Sequence, residues 1–308
     1  MTLSLRAMRY VQAALKHGSI TGAAEATHVT PSAIAAALDQ AEAAFGMALV
    51  TRARAKGIFP TAAGRDVGRR IDDLLERYEG LLTGISDLQS KLSGNLSIGY
   101  NAPIAPAFLP MLAAQIREAN PGVTFALTEG DNNSVQTGLM EGQFDVILFV
   151  EELPNPQIET QPLVHAPTYC LCASDHALAQ HDTVSVAQIV AEPLMLLDRP
   201  AARGYYLDLL QQGADAPLIV ATTNSTEMVR SLVASKIGIS LLNMKPRDVP
   251  TYAGGDICCL PIRDSNSGIT LSLGFAPGPK RKLVQTFVER CVTFFECPSG
   301  ANLTVSMD

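Results

Sequence analysis

Between Thr61 and Leu92 the apolar positions advance by steps of four and three without a break: Val67, Ile71, Leu74, Tyr78, Leu81, Ile85, Leu88 and Leu92. That is the heptad period of a coiled coil. Ile71, Tyr78, Ile85 and Leu92 take one seam position, and Val67, Leu74, Leu81 and Leu88 the other. Charges such as Arg69, Arg70, Asp72, Asp73, Glu76, Arg77 and Glu79 lie between them and read as a solvated face. A helix of this length, about 45 Å at 1.5 Å per residue, cannot bury its seam against itself. The pattern therefore predicts a linker helix that pairs with a second copy of the chain, over the plainer alternative of a core helix in its own protein. Gly68, Gly80 and Gly84 each cost about 1 kcal/mol of helix propensity relative to Ala, so packing has to supply the stability.

Ahead of the linker, Leu5, Met8, Val11 and Leu15 repeat at helical spacing up to His17-Gly18. Ser19 opens a short second helix rich in Gly and Ala. Thr30-Pro31-Ser32 opens a third, with Thr30 as N-cap and Pro31 at the first helical position, and Gly46 ends it. Three helices with a tight turn between the second and third make a helix-turn-helix. The segment from Leu49 to Pro60 reads as a two-stranded wing.

After Leu96 strands and helices alternate: LSIGY, APAFLPMLAAQIREANPG, VTFALTEG, SVQTGLMEGQ and FDVILFV, then a second set from TYCLCAS to GISLL, and finally ITLSLGF and LVQTFVERCVTFFE. Alternation of this kind predicts parallel sheets in a doubly wound arrangement. The chain divides into a head at 1–60, a linker at 61–92 and a body at 93–308. Within the body, one lobe takes about 93–160 and 267–308 and the other about 161–266, with crossings near Val150–Pro162 and Asp264–Gly268.

Composition narrows the class. Hydrophobic residues make up 47% of the 308 and charged ones 17%, which excludes wholesale disorder. No run of eighteen apolar residues marks a membrane span, and the amphipathic start MTLSLRAMRYVQAALKHG is no secretory signal, so a cytoplasmic protein is expected. Six cysteines without C-x-x-C spacing read as reduced thiols, and no metal or cofactor site is expected. Residues 1–60 hold six Lys/Arg against three Asp/Glu, while 93–308 hold twelve against twenty-one. A basic head on an acidic body points to different partners for the two ends. Enzyme signatures such as G-x-S-x-G, H-E-x-x-H or a Gly-rich phosphate loop do not occur, and the five histidines are scattered, so no catalytic residues are expected.

The span from Leu5 to Gly64, with GSITGAAE, TPSAIAAAL, AEAAFGMALVTR and PTAAG, resembles the winged helix-turn-helix of LysR-type transcriptional regulators. Ala35, Ala41 and Val50 depart from that family's usual residues. The resemblance implies an α/β protein with an all-α-type winged helix-turn-helix head, a dimerising linker helix, and a two-lobed periplasmic-binding-protein-like effector domain. Its partners would be double-stranded promoter DNA, a small-molecule effector and further copies of the chain, as a dimer and, by family habit, a tetramer. A sensor or solute-binding protein acting without DNA is the alternative, and the intact head speaks against it. Ile and Leu at the two seam positions favour parallel pairing in free-standing coils, whereas the family pairs these helices antiparallel; either gives a twofold dimer.

The third helix has no Lys or Arg, so arginine cannot read guanine from it. Thr30, Ser32 and Gln40 are the expected hydrogen-bonding residues, and Ala33, Ala36 and Ala37 the expected contacts to thymine methyls. Arg52, Arg54 and Lys56 on the wing are expected to meet phosphates. The dimerisation set is Val67, Ile71, Leu74, Tyr78, Leu81, Ile85 and Leu88.

Effectors in such folds sit beyond the carboxyl ends of strands, between lobes. That places Tyr100, Asn101, Ala102, Asp131, Ser134 and Val150 on one side. Asp198, Arg203, Asn224, Ser225 and Thr226 face them. Ser225 and Asp198 also fit plain helix caps. Arg203 is the expected anion contact and Asp131 or Asp198 an ammonium contact, which suits a carboxylate or amino-acid derivative.

Overall fold

Three side-chain caps start the head. Ser4, Ser19 and Thr30 each accept a backbone N–H from three residues on, which satisfies donors a helix otherwise leaves open. Helices α1 (Leu5–His17), α2 (Ile20–Thr27) and α3 (Pro31–Phe45) begin there. Val11, Ala14, Ala23, Ile34, Leu38 and Ala41 are fully buried among them. Strands β1 (Val50–Ala53) and β2 (Gly57–Pro60) pair antiparallel as the wing. The Ile58 amide donates to the Gly18 carbonyl at 2.9 Å, fastening the wing to the end of α1. Gly57 sits at φ 88, where a Cβ would lie 2.4 Å from Gly18 O, so only glycine fits. This computed structural model describes residues 3–53, 57–83, 92–101, 105–151, 154–213, 216–245 and 251–305.

The linker helix α4 spans Ala62–Thr83 and corrects the expected seam. Val67 and Ile71 are buried in the head's own core, and the third member of that stripe is Leu75, 4% exposed, rather than Leu74, 43% exposed. Steps of four carry Val67, Ile71 and Leu75 along one face of the helix, and that face meets α1. Leu74 is exposed and Tyr78 half-buried, and neither joins the head core. Ile85 and Leu88 fall outside the described residues, as does the side chain of Leu81.

The body folds as two sheets, each mixed rather than wholly parallel. In lobe I, β3 (Ser93–Asn101), β4 (Gly122–Gly130) and β5 (Val146–Val150) run parallel. Strands β6 (Glu159–Pro167) and β12 (Gly268–Phe275) join antiparallel, in the order β4-β3-β5-β12-β6. In lobe II, β8 (Leu194–Leu197), β9 (Ile219–Thr223) and β10 (Ile239–Leu242) are parallel. Strand β7 (Tyr169–Ala173) runs against them, and β11 (Ile257–Pro261) pairs antiparallel with β7 at the edge, in the order β11-β7-β10-β8-β9. Helices α5 (Leu109–Ala119), α6 (Asn132–Met140) and α10 (Lys282–Glu296) pack in lobe I, and α7 (Val186–Val190), α8 (Pro200–Leu210) and α9 (Thr226–Ala234) in lobe II.

Strand β6 moves the first crossing. It extends lobe I to Pro167, so the chain passes between lobes at Thr168, not near Val150–Pro162. The pattern hid this strand because Pro162 and Pro167 interrupt it, and proline is tolerated where a strand lies at a sheet edge. The second crossing runs through residues 262–267. No helix among the described residues is long and apolar enough to cross a membrane.

Candidate functional site

On the head, the residues expected to meet DNA separate into three groups. Thr30, Ser32 and Ala36 are exposed at the start and on the face of α3, with Ala33 and Gln40 half-buried beside them. Thr30 caps α3 through Ala33 N, and its hydroxyl lies 2.9 Å from that of Ser32. Ala37 is buried in the head core and cannot reach a thymine methyl, because it lies on the inward stripe with Ile34, Leu38 and Ala41. Arg52 forms an ion pair with Asp39, both more than half exposed. Arg54 and Lys56 lie outside the described residues. Glu42, the other acid of α3, accepts the Leu49 and Val50 amides at 2.7 and 3.2 Å, which ties the wing to the recognition helix.

Between the lobes, the strand ends of both sheets approach each other. Asn101 ends β3, and Glu129 stands beside Tyr100 in the neighbouring strand. Burial, then the Glu129 charge, raises the Tyr100 hydroxyl above its usual value. Asp131 is the N-cap of α6, its Oδ1 accepting the Asn133 and Ser134 amides at 3.0 and 2.8 Å. The Ser134 amide leads the interactions that hold its carboxyl below the usual range, and the Arg199 guanidinium contributes. Ser134 turns its hydroxyl back to the Asp131 carbonyl. Val150 does not face the cleft: its side chain lies in the lobe I core and both its backbone groups bond to the buried Asn132. Ala102 lies outside the described residues.

From lobe II, Ser225 caps α9 through Met228 N. The Thr226 hydroxyl is buried without a hydrogen-bond partner. Arg203 donates to Asp198 at 3.1 Å within its own lobe, so this pair is internal. The residue that reaches across is Arg199, which the sequence reading missed. Its Nε donates to the Asn224 carbonyl at 2.8 Å, its Nη1 lies 3.4 Å from Asn101 Oδ1, and its Nη2 lies 3.6 Å from Glu129 Oε1. The guanidinium is thus anchored in lobe II and presents its fork to lobe I. Its one signal in sequence is that it immediately precedes Pro200. A residue before proline is held extended, and Arg199 sits at φ −119, ψ 148 at the N-cap of α8, ahead of the helix.

Both crossings are held by a hydroxyl and amide network. The Thr168 amide donates to the Ser267 carbonyl at 2.9 Å, joining the two connections directly. Buried Asn243 donates to Thr168 Oγ1 and the Ala166 carbonyl, both at 3.1 Å, and accepts from Tyr206 Oη at 2.7 Å. Tyr205, next on α8, bonds to Thr168 and Ser267. Helix α8 therefore carries Arg199 at its N-cap and two hinge-binding tyrosines nearly two turns later.

Four of the six cysteine thiols are disfavoured as thiolates by burial. Burial pushes the Cys170, Cys259 and Cys291 thiols up, and that of Cys172 up to about 12. No cluster of His, Cys, Asp and Glu suited to a metal occurs among the described residues.

Comparison with known proteins places this architecture. Residues 5–65 match the bacterial regulatory helix-turn-helix protein, lysR family, and residues 89–296 match the LysR substrate binding domain. The DNA-binding transcriptional dual regulator OxyR and the hydrogen peroxide-inducible genes activator, both of Escherichia coli, are each 25% identical over 294 residues, covering 93% of this chain and 94% of theirs. Among solved structures, the LysR family regulator HinK of Pseudomonas aeruginosa superposes with a TM-score of 0.62 at 26% identity, covering 95% of this chain and 99% of that one. Full-length OxyR of the same organism gives 0.70 at 21%, covering 94% and 98%, and shows the shared fold. With both of its parts matched in order, the chain belongs to the LysR family: it is a transcriptional regulator with a DNA-binding helix-turn-helix head and an effector-binding, two-lobed body.

Proposed function

We propose that the chain acts in the cytoplasm as a homodimer, assembling further into a tetramer, whose paired heads grip a roughly palindromic operator and whose interlobe cleft receives a small carboxylate or amino-acid derivative. Its output is binding, not turnover. On DNA, Thr30, Ser32, Ala33, Ala36 and Gln40 face the groove, and Arg52, Arg54 and Lys56 meet phosphates. Leu74, Tyr78, Leu81, Ile85 and Leu88 remain for pairing once Val67 and Ile71 are spent on the head.

The observation that carries the effector reading is the fork of Arg199, which reaches from lobe II to within 3.4 Å of Asn101 Oδ1 and 3.6 Å of Glu129 Oε1 in lobe I. Those contacts are long for charge-assisted bonds, which a bidentate carboxylate would shorten. Its binding would favour one lobe geometry by differential affinity and so alter how the heads sit on DNA. Thiol oxidation by peroxide finds no support at Cys170, Cys172, Cys259 or Cys291, because it requires a thiolate and burial disfavours one at each.

A thermal-shift screen of small carboxylates and amino acids against the full chain tests the effector. A mobility shift on DNA upstream of its own gene tests the head. A binder should stabilise by RT ln(1 + [L]/Kd), about 2.7 kcal/mol at a hundredfold excess over Kd. A chain that ignores that DNA in dilute buffer, or whose binders act equally on variants of the cleft, would refute the reading.

A further inference from the structure

The charges on the two sides of the cleft do not suit a simple anion. Lobe I presents Glu129 and Asp131, and the cation that crosses to them is Arg199 of lobe II. Its Nη2 lies 3.6 Å from Glu129 Oε1, and it contributes to keeping Asp131 ionised. Asp131 spends Oδ1 on both cap amides, which points its bonding capacity for a cation to Oδ2. Glu129 is half exposed and its pair with Arg199 is long, so water already weakens it and exchange of partners is cheap.

A carboxylate that takes the fork of Arg199 strips Glu129 and Asp131 of that counter-charge and adds a third negative group beside them. Like charges so placed repel, and the cost grows as the closing lobes expel water. A ligand that brings its own cation avoids this. We propose that the cleft takes a zwitterion, a small amino acid or amine-bearing carboxylic acid, with its carboxylate on the Nη atoms of Arg199 and its ammonium on Glu129 and Asp131. The anchored Nε, held by the Asn224 carbonyl at 2.8 Å, keeps the fork aimed while its acceptors change. The direct contact of Arg199 with lobe I is then replaced by one spaced by the length of the ligand. The spacing between lobes becomes a measure of ligand size, and α8 carries that change to the hinge through Tyr205 and Tyr206.

This rests on the interlobe reading above, and the test separates the two. Thermal shift and calorimetry on the full chain would use the standard amino acids, β-alanine and γ-aminobutyrate. Each is paired with its N-acetyl form, which lacks the cation, and its carboxamide, which lacks the anion. A zwitterion should bind, and both capped forms should bind roughly tenfold or more weakly. Arg199→Gln should remove binding of the zwitterion. Glu129→Gln should weaken the zwitterion and improve its N-acetyl form, a reversal of preference that a merely unfolded variant cannot show. The proposal falls if N-acetyl forms match their parents, if Arg199→Gln binds like the parent chain, or if no zwitterion of the set binds. Binding of amine-free carboxylates that Arg199→Gln abolishes would overturn the zwitterion and keep the cleft. Binding that neither substitution alters would remove the ligand from the cleft and overturn the interlobe reading itself.

Discussion

Ser267 Oγ donates to Tyr205 Oη at 2.7 Å, and so joins the second connection between the lobes to the helix that begins at Arg199. The same phenol bonds to Thr168 on the first connection. A single side chain of lobe II thus touches both strands of the hinge.

Removing that hydroxyl should loosen the hinge without unfolding a lobe. Tyr205→Phe is expected to cost about 1 kcal/mol and to speed hydrogen exchange at the Thr168 amide. Tyr206→Phe should cost more, about 1–3 kcal/mol, because it strips the buried Asn243 carbonyl oxygen of its donor at 2.7 Å. Equal denaturation midpoints for both variants and the parent would contradict the network.

On the head, the ion pair between Arg52 and Asp39 competes with phosphate. Arg52→Ala should lower affinity for every DNA sequence and flatten the slope of log K against log salt by about 0.9 per lost contact. Asp39→Asn should strengthen binding, since it frees Arg52 and removes a negative charge from the recognition face. Fluorescence anisotropy in a salt series decides it, and an unchanged slope in Arg52→Ala rejects the assignment.

Neighbouring leucines on α4 should behave differently. Leu75→Ala, in the head core, is expected to destabilise by about 2–5 kcal/mol. Leu74→Glu should leave the fold stable and abolish self-association, because that side chain is available to a second copy. Sedimentation of Leu74→Glu as the parent assembly would remove this face of the helix from the dimer interface.

Where head meets lobe I, a carboxyl is held against its preference. A cavity of about 700 Å³ opens there, lined by Gln12, Arg69, Asp72, Asp145 and Arg281 among others. Burial raises the Asp72 carboxyl above its usual range, with the Gln12 hydrogen bond and the Arg281 charge pulling it down and Asp145 pushing it up. A raised value means that the folded chain favours the neutral acid. Its contribution is fully present below the unfolded value and is lost as pH rises through the folded one. Asp72→Asn should therefore stabilise the chain near about pH 7, by a margin that closes as pH falls towards about 4. A margin that grows on acidification would reverse the sign of this account.

Much of the chain is legible without a fold because its signals are local. Thr30, Pro31 and Gly46 bound α3 by capping and backbone preference alone, and Ser185 with Gln188 closes a capping box on α7. The order of most strands and helices follows from alternation, while the two-lobed body is implied by the family resemblance and the antiparallel members of both sheets by neither. Strand β6 escaped because its prolines are tolerated only at an edge, and edges are a property of the finished sheet.

The hydrophobic period along residues 61–92, the caps and the charge contrast between head and body belong to the sequence, since each depends on neighbours a few residues apart. Tertiary structure alone decided that Leu75 and not Leu74 joins Val67 and Ile71, and that Arg199 crosses the cleft while Arg203 turns to Asp198. Leu74 and Leu75 are neighbours on adjoining faces of α4, and Arg203 lies about one turn beyond Arg199 at the start of α8, so spacing alone ranks neither pair. Only the packing of distant elements determines which side chain meets protein and which is left to a partner or a ligand.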